Sequence, residues 1–186
     1  MPTTQEAVLS HIRDALKSDV KSNYDDAVKF LRKLYPDQKY CLLMYGSCLR
    51  SQTASQDSSP DFFILASETD GFFKKYLERC LSFILPPNIY HFKWRDSFAK
   101  YSLLRLDQLN KAVQFKAKDL YHMGRFSKRM KLAANYDADE VVKELPFIFY
   151  SAAQNVAKRV LLNCEEKTEL SSFVTACLQL SYEGDT

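Results

Sequence analysis

Helical spacing at both ends of the chain and strand-like apolar runs in its middle predict an α+β protein: a mixed sheet flanked by helices, followed by a helical C-terminal subdomain. Three observations carry this. Residues 5–20 place Ala7, Val8, Ile12, Ala15 and Leu16 at helical spacing. Lys39–Tyr45 and Asp61–Ala66 contain short uninterrupted apolar runs, the pattern of strands buried on both faces. Asp137–Asn163 and Thr168–Tyr182 then return to helical spacing.

The remaining elements follow in order. A second helix is expected from Ser22, where Asp25 gives a weak capping arrangement, with Ala27, Val28, Leu31 and Leu34 on its apolar face and Pro36 as its stop. Gly46-Ser47 breaks the first strand, and the polar residues 51–60 read as a loop or a short helix. Asp70–Phe83 reads as a helix stopped by Pro86-Pro87. Ile89–Trp94 and Tyr101–Leu106 read as two further strands. Asp107 is placed to cap a helix running to about Leu120, and Pro146 is expected to kink or split the helix of residues 137–163. The expected division is a first domain at 1–134 and the helical subdomain at 135–186.

The composition narrows the class. With 186 residues, 46% apolar and 26% charged, the chain has the make-up of a globular protein. A net charge of +3 is too small to argue for nucleic acid. No apolar run approaches the ~18 residues of a membrane span, and Glu6, Asp14 and Asp19 argue against an Arg-rich transit peptide. The expected location is a cytoplasmic or matrix-like soluble compartment, with any membrane contact peripheral. Cys41, Cys48, Cys80, Cys164 and Cys177 form no CxxC pair, and with three histidines a zinc site is not expected. Free thiols are.

The informative stretch is Leu42-Leu-Met-Tyr-Gly-Ser-Cys-Leu-Arg50 followed by Ser59-Pro-Asp-Phe-Phe-Ile-Leu65. It reads as strand, Gly-Ser turn, polar segment, then a strand opening on an acid. Transfer of a nucleotidyl group needs such parts. Backbone N–H groups at the turn, around Tyr45, Gly46 and Ser47, can hold phosphate oxygens, and glycine lets the phosphate approach closely. Ser47 adds a hydroxyl. Asp61 can hold Mg²⁺, which bridges phosphates and neutralises their charge.

The Gly-Ser turn with Asp61 resembles the nucleotidyltransferase superfamily signature, and within it the mitochondrial-type CDP-diacylglycerol synthases of the translocator assembly and maintenance family. Four further segments are similar to that family: Leu85-Pro-Pro-Asn-Ile-Tyr90, Lys100-Tyr101 before an apolar run, Asp119-Leu-Tyr-His-Met-Gly-Arg-Phe-Ser-Lys128, and Leu180-Ser-Tyr-Glu-Gly-Asp185. The resemblance runs from about Tyr40 to the end of the chain. It also has departures. Phe63 stands where the superfamily has a second acid, Cys48-Leu49 where the family has Gly-Val, Ser102 for Gly, and Arg129 for Pro.

The resemblance implies a phosphatidate cytidylyltransferase, moving CMP from CTP to phosphatidic acid with release of pyrophosphate. It implies that Asp61 holds Mg²⁺, that Gly46, Ser47 and Tyr45 hold the triphosphate, and that Lys100, Arg125 and Lys128 act on the anionic substrates. Each residue also has a plainer reading. Asp61 is equally a strand-end acid, and Lys100 a solvated lysine. The basic run Lys116–Lys131 is equally a solvated face. Asp96 and Asp107 are the candidates for the missing second carboxylate. The family continues beyond the Ser-Tyr-x-Gly-Asp motif, so the chain is expected to be a truncated catalytic core, folded and poorly active. Two other functions stay open: a metal-dependent nucleotidyltransferase with another acceptor, and an inactive relative that binds nucleotide.

Overall fold

A computed structural model describes residues 3–17, 22–49, 59–68, 72, 88–117, 120–164 and 168–183. The elements are helix α1 (Thr4–Lys17), α2 (Asp25–Leu34), strands β1 (Tyr40–Tyr45), β2 (Asp61–Ala66), β3 (Asn88–Trp94) and β4 (Ser97–Arg105), helices α3 (Leu106–Ala112) and α4 (Tyr121–Phe126), strand β5 (Lys131–Tyr136), and helices α5 (Asp139–Leu161) and α6 (Leu170–Glu183). This is the α+β class expected, with a mixed five-stranded sheet flanked by helices and a helical C-terminal region. Apart from Phe72, the expected helix at 70–83 lies outside the described residues, as do the loop at 51–58, the Pro-Pro stop, Cys80 and Asp119. The four cysteines among the described residues are free thiols. No helix among them is long and apolar enough to cross a membrane.

The sheet order is β3-β4-β2-β1-β5. β2 and β4 are parallel, and the other three pairings are antiparallel. β1 and β2 are central and buried along almost their whole length, which is why they read as continuous apolar runs. On one face, Tyr40, Leu42 and Met44 of β1, Phe62, Ile64 and Ala66 of β2, and Ala99, Tyr101 and Leu103 of β4 build the core. Ala27 and Leu31 of α2 cover them, both fully buried at the helical spacing expected.

The chain divides into two compact units. One comprises Met1–Arg13, Asp107–Arg129 and Glu144–Thr186, and the other Asp14–Leu106 and Met130–Lys143. This differs from a boundary at 134/135, which would cut β5. That strand has no continuous apolar run to announce it, only Lys-Leu-Ala-Ala-Asn-Tyr, and it exists because β1 offers it an edge to pair with. Asn135 then turns the chain into α5. Its Oδ1 accepts from Ala138 N at 3.0 Å and its Nδ2 donates to Asp139 Oδ1 at 2.6 Å.

Four other expectations differ from the structure. β4 starts at Ser97 rather than Tyr101, because β3 and β4 form a hairpin with only Arg95 and Asp96 in the turn. α3 ends at Ala112 rather than near Leu120. Asp107 lies inside its first turn and pairs with Lys111 at 3.8 Å, so it is no cap. Beyond α3 the carbonyls of Phe115 and Ala117 accept from the Arg159 guanidinium instead of continuing a helix. Pro146 does not split α5, which runs through it with Leu145, Pro146, Ile148, Phe149 and Ala152 all buried. Burial on both sides of the proline outweighs the ~3 kcal/mol that an interior proline costs a helix.

In the helical unit, Asn155 of α5 is buried and donates from Nδ2 to Val113 O at 2.7 Å, satisfying a carbonyl left over where α3 ends. Asn155→Ala would leave that acceptor unpaired. It is expected to destabilise the protein by about 1–3 kcal/mol, read as a lowered denaturation midpoint. An unchanged midpoint would show that water reaches this carbonyl.

Candidate functional site

The site is built on one face at the end of the two central strands. β1 and β2 pair antiparallel with Tyr45 opposite Asp61, and β2 and β4 pair parallel with Asp61 beside Lys100. Paired residues point to the same face of a sheet, so Tyr45, Asp61 and Lys100 form one row, and His91 of β3, opposite Lys100, extends it to the sheet edge. Asp61 opens a central strand of the five. It is reachable because it stands at a strand end, and its side chain is 21% exposed.

β1 stops at Gly46, which adopts φ 95°, a conformation that glycine reaches without steric cost. One 3₁₀ turn follows, Ser47–Leu49, closed by Leu49 N donating to Gly46 O at 3.3 Å. Ser47 is exposed at its start, whereas Cys48 turns inward and donates its thiol to Tyr45 O at 3.2 Å. Burial pushes the Cys48 thiol above its ordinary pKa, so it stays a neutral thiol at neutral pH.

The carboxylate of Asp61 is held between two partners. A Cβ placed on Gly46 would lie 3.0 Å from Asp61 Oδ2, so the turn's backbone packs directly on the acid. On the other side Lys100 Nζ is 3.6 Å from Asp61 Oδ1. The segment before Asp61 is tied to β4 as well: Pro60 O accepts from Lys100 N at 3.4 Å, and the hydroxyls of Ser59 and Ser97 hydrogen-bond to each other. Of the expected residues, Tyr45, Gly46, Ser47, Asp61 and Lys100 are thus brought together.

Arg125 and Lys128 fall in the other unit. Arg125 is half-buried on α4, with its guanidinium 5.5 Å from the centroid of the Tyr121 ring, and Lys128 N donates to Arg125 O at 3.2 Å just past the helix. Within that unit two resembling segments meet. Gly124 packs so closely on α6 that a Cβ there would be 2.5 Å from Ser181 O. Ser181, 3% exposed, donates its hydroxyl to Leu178 O at 2.7 Å. The glycine of Tyr-His-Met-Gly-Arg and the serine of Leu-Ser-Tyr therefore have packing roles.

The position expected to carry a second acid is closed. Phe63 is fully buried and stacks on Tyr45 with ring centroids 4.5 Å apart. Asp96 lies on the hairpin turn, four strand residues from Lys100 and so about 13 Å along β4. Asp107 belongs to the other unit. Among the described residues no group of three His, Cys, Asp or Glu side chains is placed to hold a metal ion. The donor set at Asp61 is one carboxylate, which fits Mg²⁺ only as that ion is usually held alongside phosphates, by one or two carboxylates and substrate oxygens. His91 was not singled out in the sequence. Only its register opposite Lys100 links it to the row. No protein-family model matches the chain, and a search of curated proteins finds no match.

Proposed function

We propose that the protein is a phosphatidate cytidylyltransferase, transferring CMP from CTP to phosphatidic acid to give CDP-diacylglycerol and pyrophosphate. The observation that supports it is the Asp61 carboxylate held between the Gly46 turn and the Lys100 ammonium on the exposed end of the central strands. The identity of base and acceptor comes from the family resemblance. A phosphate oxygen of phosphatidate attacks the α-phosphorus of CTP, and the bond to the bridging oxygen breaks as pyrophosphate leaves. Asp61 would hold Mg²⁺, which when bound supplies neutralisation of phosphate charge. Gly46 offers close approach for a phosphate, and Ser47 a hydroxyl donor. Lys100 offers a positive charge to an anionic oxygen, the role a lysine performs as a point charge. The family resemblance implies that Arg125 and Lys128 bind anionic substrate groups. Catalysis is then mainly positioning and charge stabilisation.

The test is pyrophosphate release and CDP-diacylglycerol formation from each nucleoside triphosphate with Mg²⁺ and phosphatidate vesicles. Product from CTP with phosphatidate supports the proposal, and absence of product with every triphosphate rejects it. Arg125→Ala and Lys128→Ala are each expected to weaken CTP or phosphatidate binding about 10- to 150-fold, the equivalent of one hydrogen bond to a charged group at about 1.5–3 kcal/mol. Titration calorimetry with each ligand reads this, and unchanged affinity for both would return the basic run to a solvated face. The burial of Phe63 where an acid is expected favours a second reading, an inactive relative that binds nucleotide. CTP binding without turnover would identify it.

A further inference from the structure

The β3–β4 hairpin carries an exposed surface that the proposed transfer site shares only at Lys100. Register puts Ile89, His91 and Lys93 of β3 on the same face as Ser102, Lys100 and Phe98 of β4. The opposite face, with Phe92, Trp94, Ala99 and Tyr101, is core. On the outward face Phe98 is 69% exposed and Ile89 47%, and His91 and Lys93 are exposed beside them. β3 is the edge of the sheet. An aromatic this exposed at a hairpin end, beside a lysine, is the composition of a contact with something both apolar and anionic.

The tip is also held rigid. Trp94 Nε1 donates to Asp26 Oδ1 at 3.0 Å, Arg95 Nε lies 3.4 Å from Asp26 Oδ2, and the Arg95 guanidinium sits 4.3 Å over the Trp94 ring. Arg95 adopts φ 53° in the turn. Asp26 thus fixes the hairpin from below, so Phe98 is presented without an ordering cost at the moment of contact.

We propose that this face docks on an anionic lipid bilayer, with Phe98 and Ile89 entering the interfacial region and Lys93 and Lys100 meeting headgroup phosphates. The orientation rests on the lipid-acceptor reading above. Lys100 is two residues from Phe98 on the same face, about 7 Å along the strand, so one surface offers a charge to headgroups and an aromatic ring to hydrocarbon. The same row continues from Lys100 to Asp61, so the docked face leads from the membrane into the candidate site. An anionic surface is favoured because Lys93 makes no ion pair with any described residue and Asp96 is the one acid in the hairpin.

The experiment is vesicle co-sedimentation of the full chain without CTP, using phosphatidylcholine vesicles with and without phosphatidic acid. Binding is expected with phosphatidic acid and lost without it. Lys93→Ala should weaken it about five-fold and Phe98→Ser about ten-fold, as expected for one interfacial charge and one buried aromatic. Both positions are exposed, so the variants should fold, which circular dichroism checks. Binding unchanged by both substitutions, no preference for anionic vesicles, or binding of single-stranded RNA in place of vesicles would each overturn the proposal. Because the readout needs no turnover, its failure is separate from that of the enzymatic reading. A chain that binds vesicles through Phe98 but forms no product leaves the surface standing.

Discussion

Asp61→Asn is expected to lower nucleotidyl transfer at least 100-fold while leaving the fold almost unchanged. The two effects separate because Asp61 is held by groups that contribute little to stability. Its ion pair with Lys100, 3.6 Å apart, has side chains 21% and 41% exposed, and partly exposed pairs are worth about 0–1 kcal/mol. Asparagine keeps the volume beside Gly46. What it removes is the negative charge, the sole carboxylate in the row, and with it the ligand that the proposed function gives to Mg²⁺. A 100-fold loss corresponds to about 2.7 kcal/mol in the barrier, well within what one charge contributes where charge develops. Turnover and denaturation midpoint should be measured on the same preparation. Turnover equal to the parent chain's would take Asp61 out of the mechanism. A stability loss of several kcal/mol would make it a structural residue.

Gly124→Ala should destabilise the protein by about 1–3 kcal/mol, opposite in sign to the usual effect. In an open helix, alanine stabilises by about 1 kcal/mol over glycine, because glycine has more backbone freedom to lose on folding. At Gly124 the added methyl would sit 2.5 Å from Ser181 O and 3.1 Å from the carbonyl carbon and Cα of the same residue. These atoms are helix backbone, so relief requires α6 to move as a body, and overpacking of this kind outweighs the entropic gain. Hydrogen exchange across residues 170–183 reads the effect locally, and a denaturant series reads it globally. A raised or unchanged midpoint would mean that α4 and α6 are less closely packed than the distances indicate.

The parts of the fold whose signals are local could be read from consecutive residues alone. The apolar runs of β1 and β2, the break at Gly46, the spacing of Ala27 and Leu31 on α2, and an acid at the start of β2 are properties of a few consecutive residues, and each stands where its pattern put it. The class followed, since helical and strand periods alternate in a fixed order. Tertiary structure decided what depends on partners far along the chain. β5 is a strand only because β1 pairs with it, and its own residues carry no strand pattern. The tight turn at Arg95-Asp96 moved the start of β4 back to Ser97, which brought Lys100 into register with Asp61, thirty-nine positions away, and put His91 in the same row. Phe63 is likewise a core ring by virtue of a tertiary contact, its stacking on Tyr45. Gly124 stood in the sequence only within a segment similar to the family, and the packing of α6 against it gave it a steric reason. The physical reason is the same in each case: periodicity records which side of an element is apolar, whereas register and close approach are set by the surface of the partner that buries it.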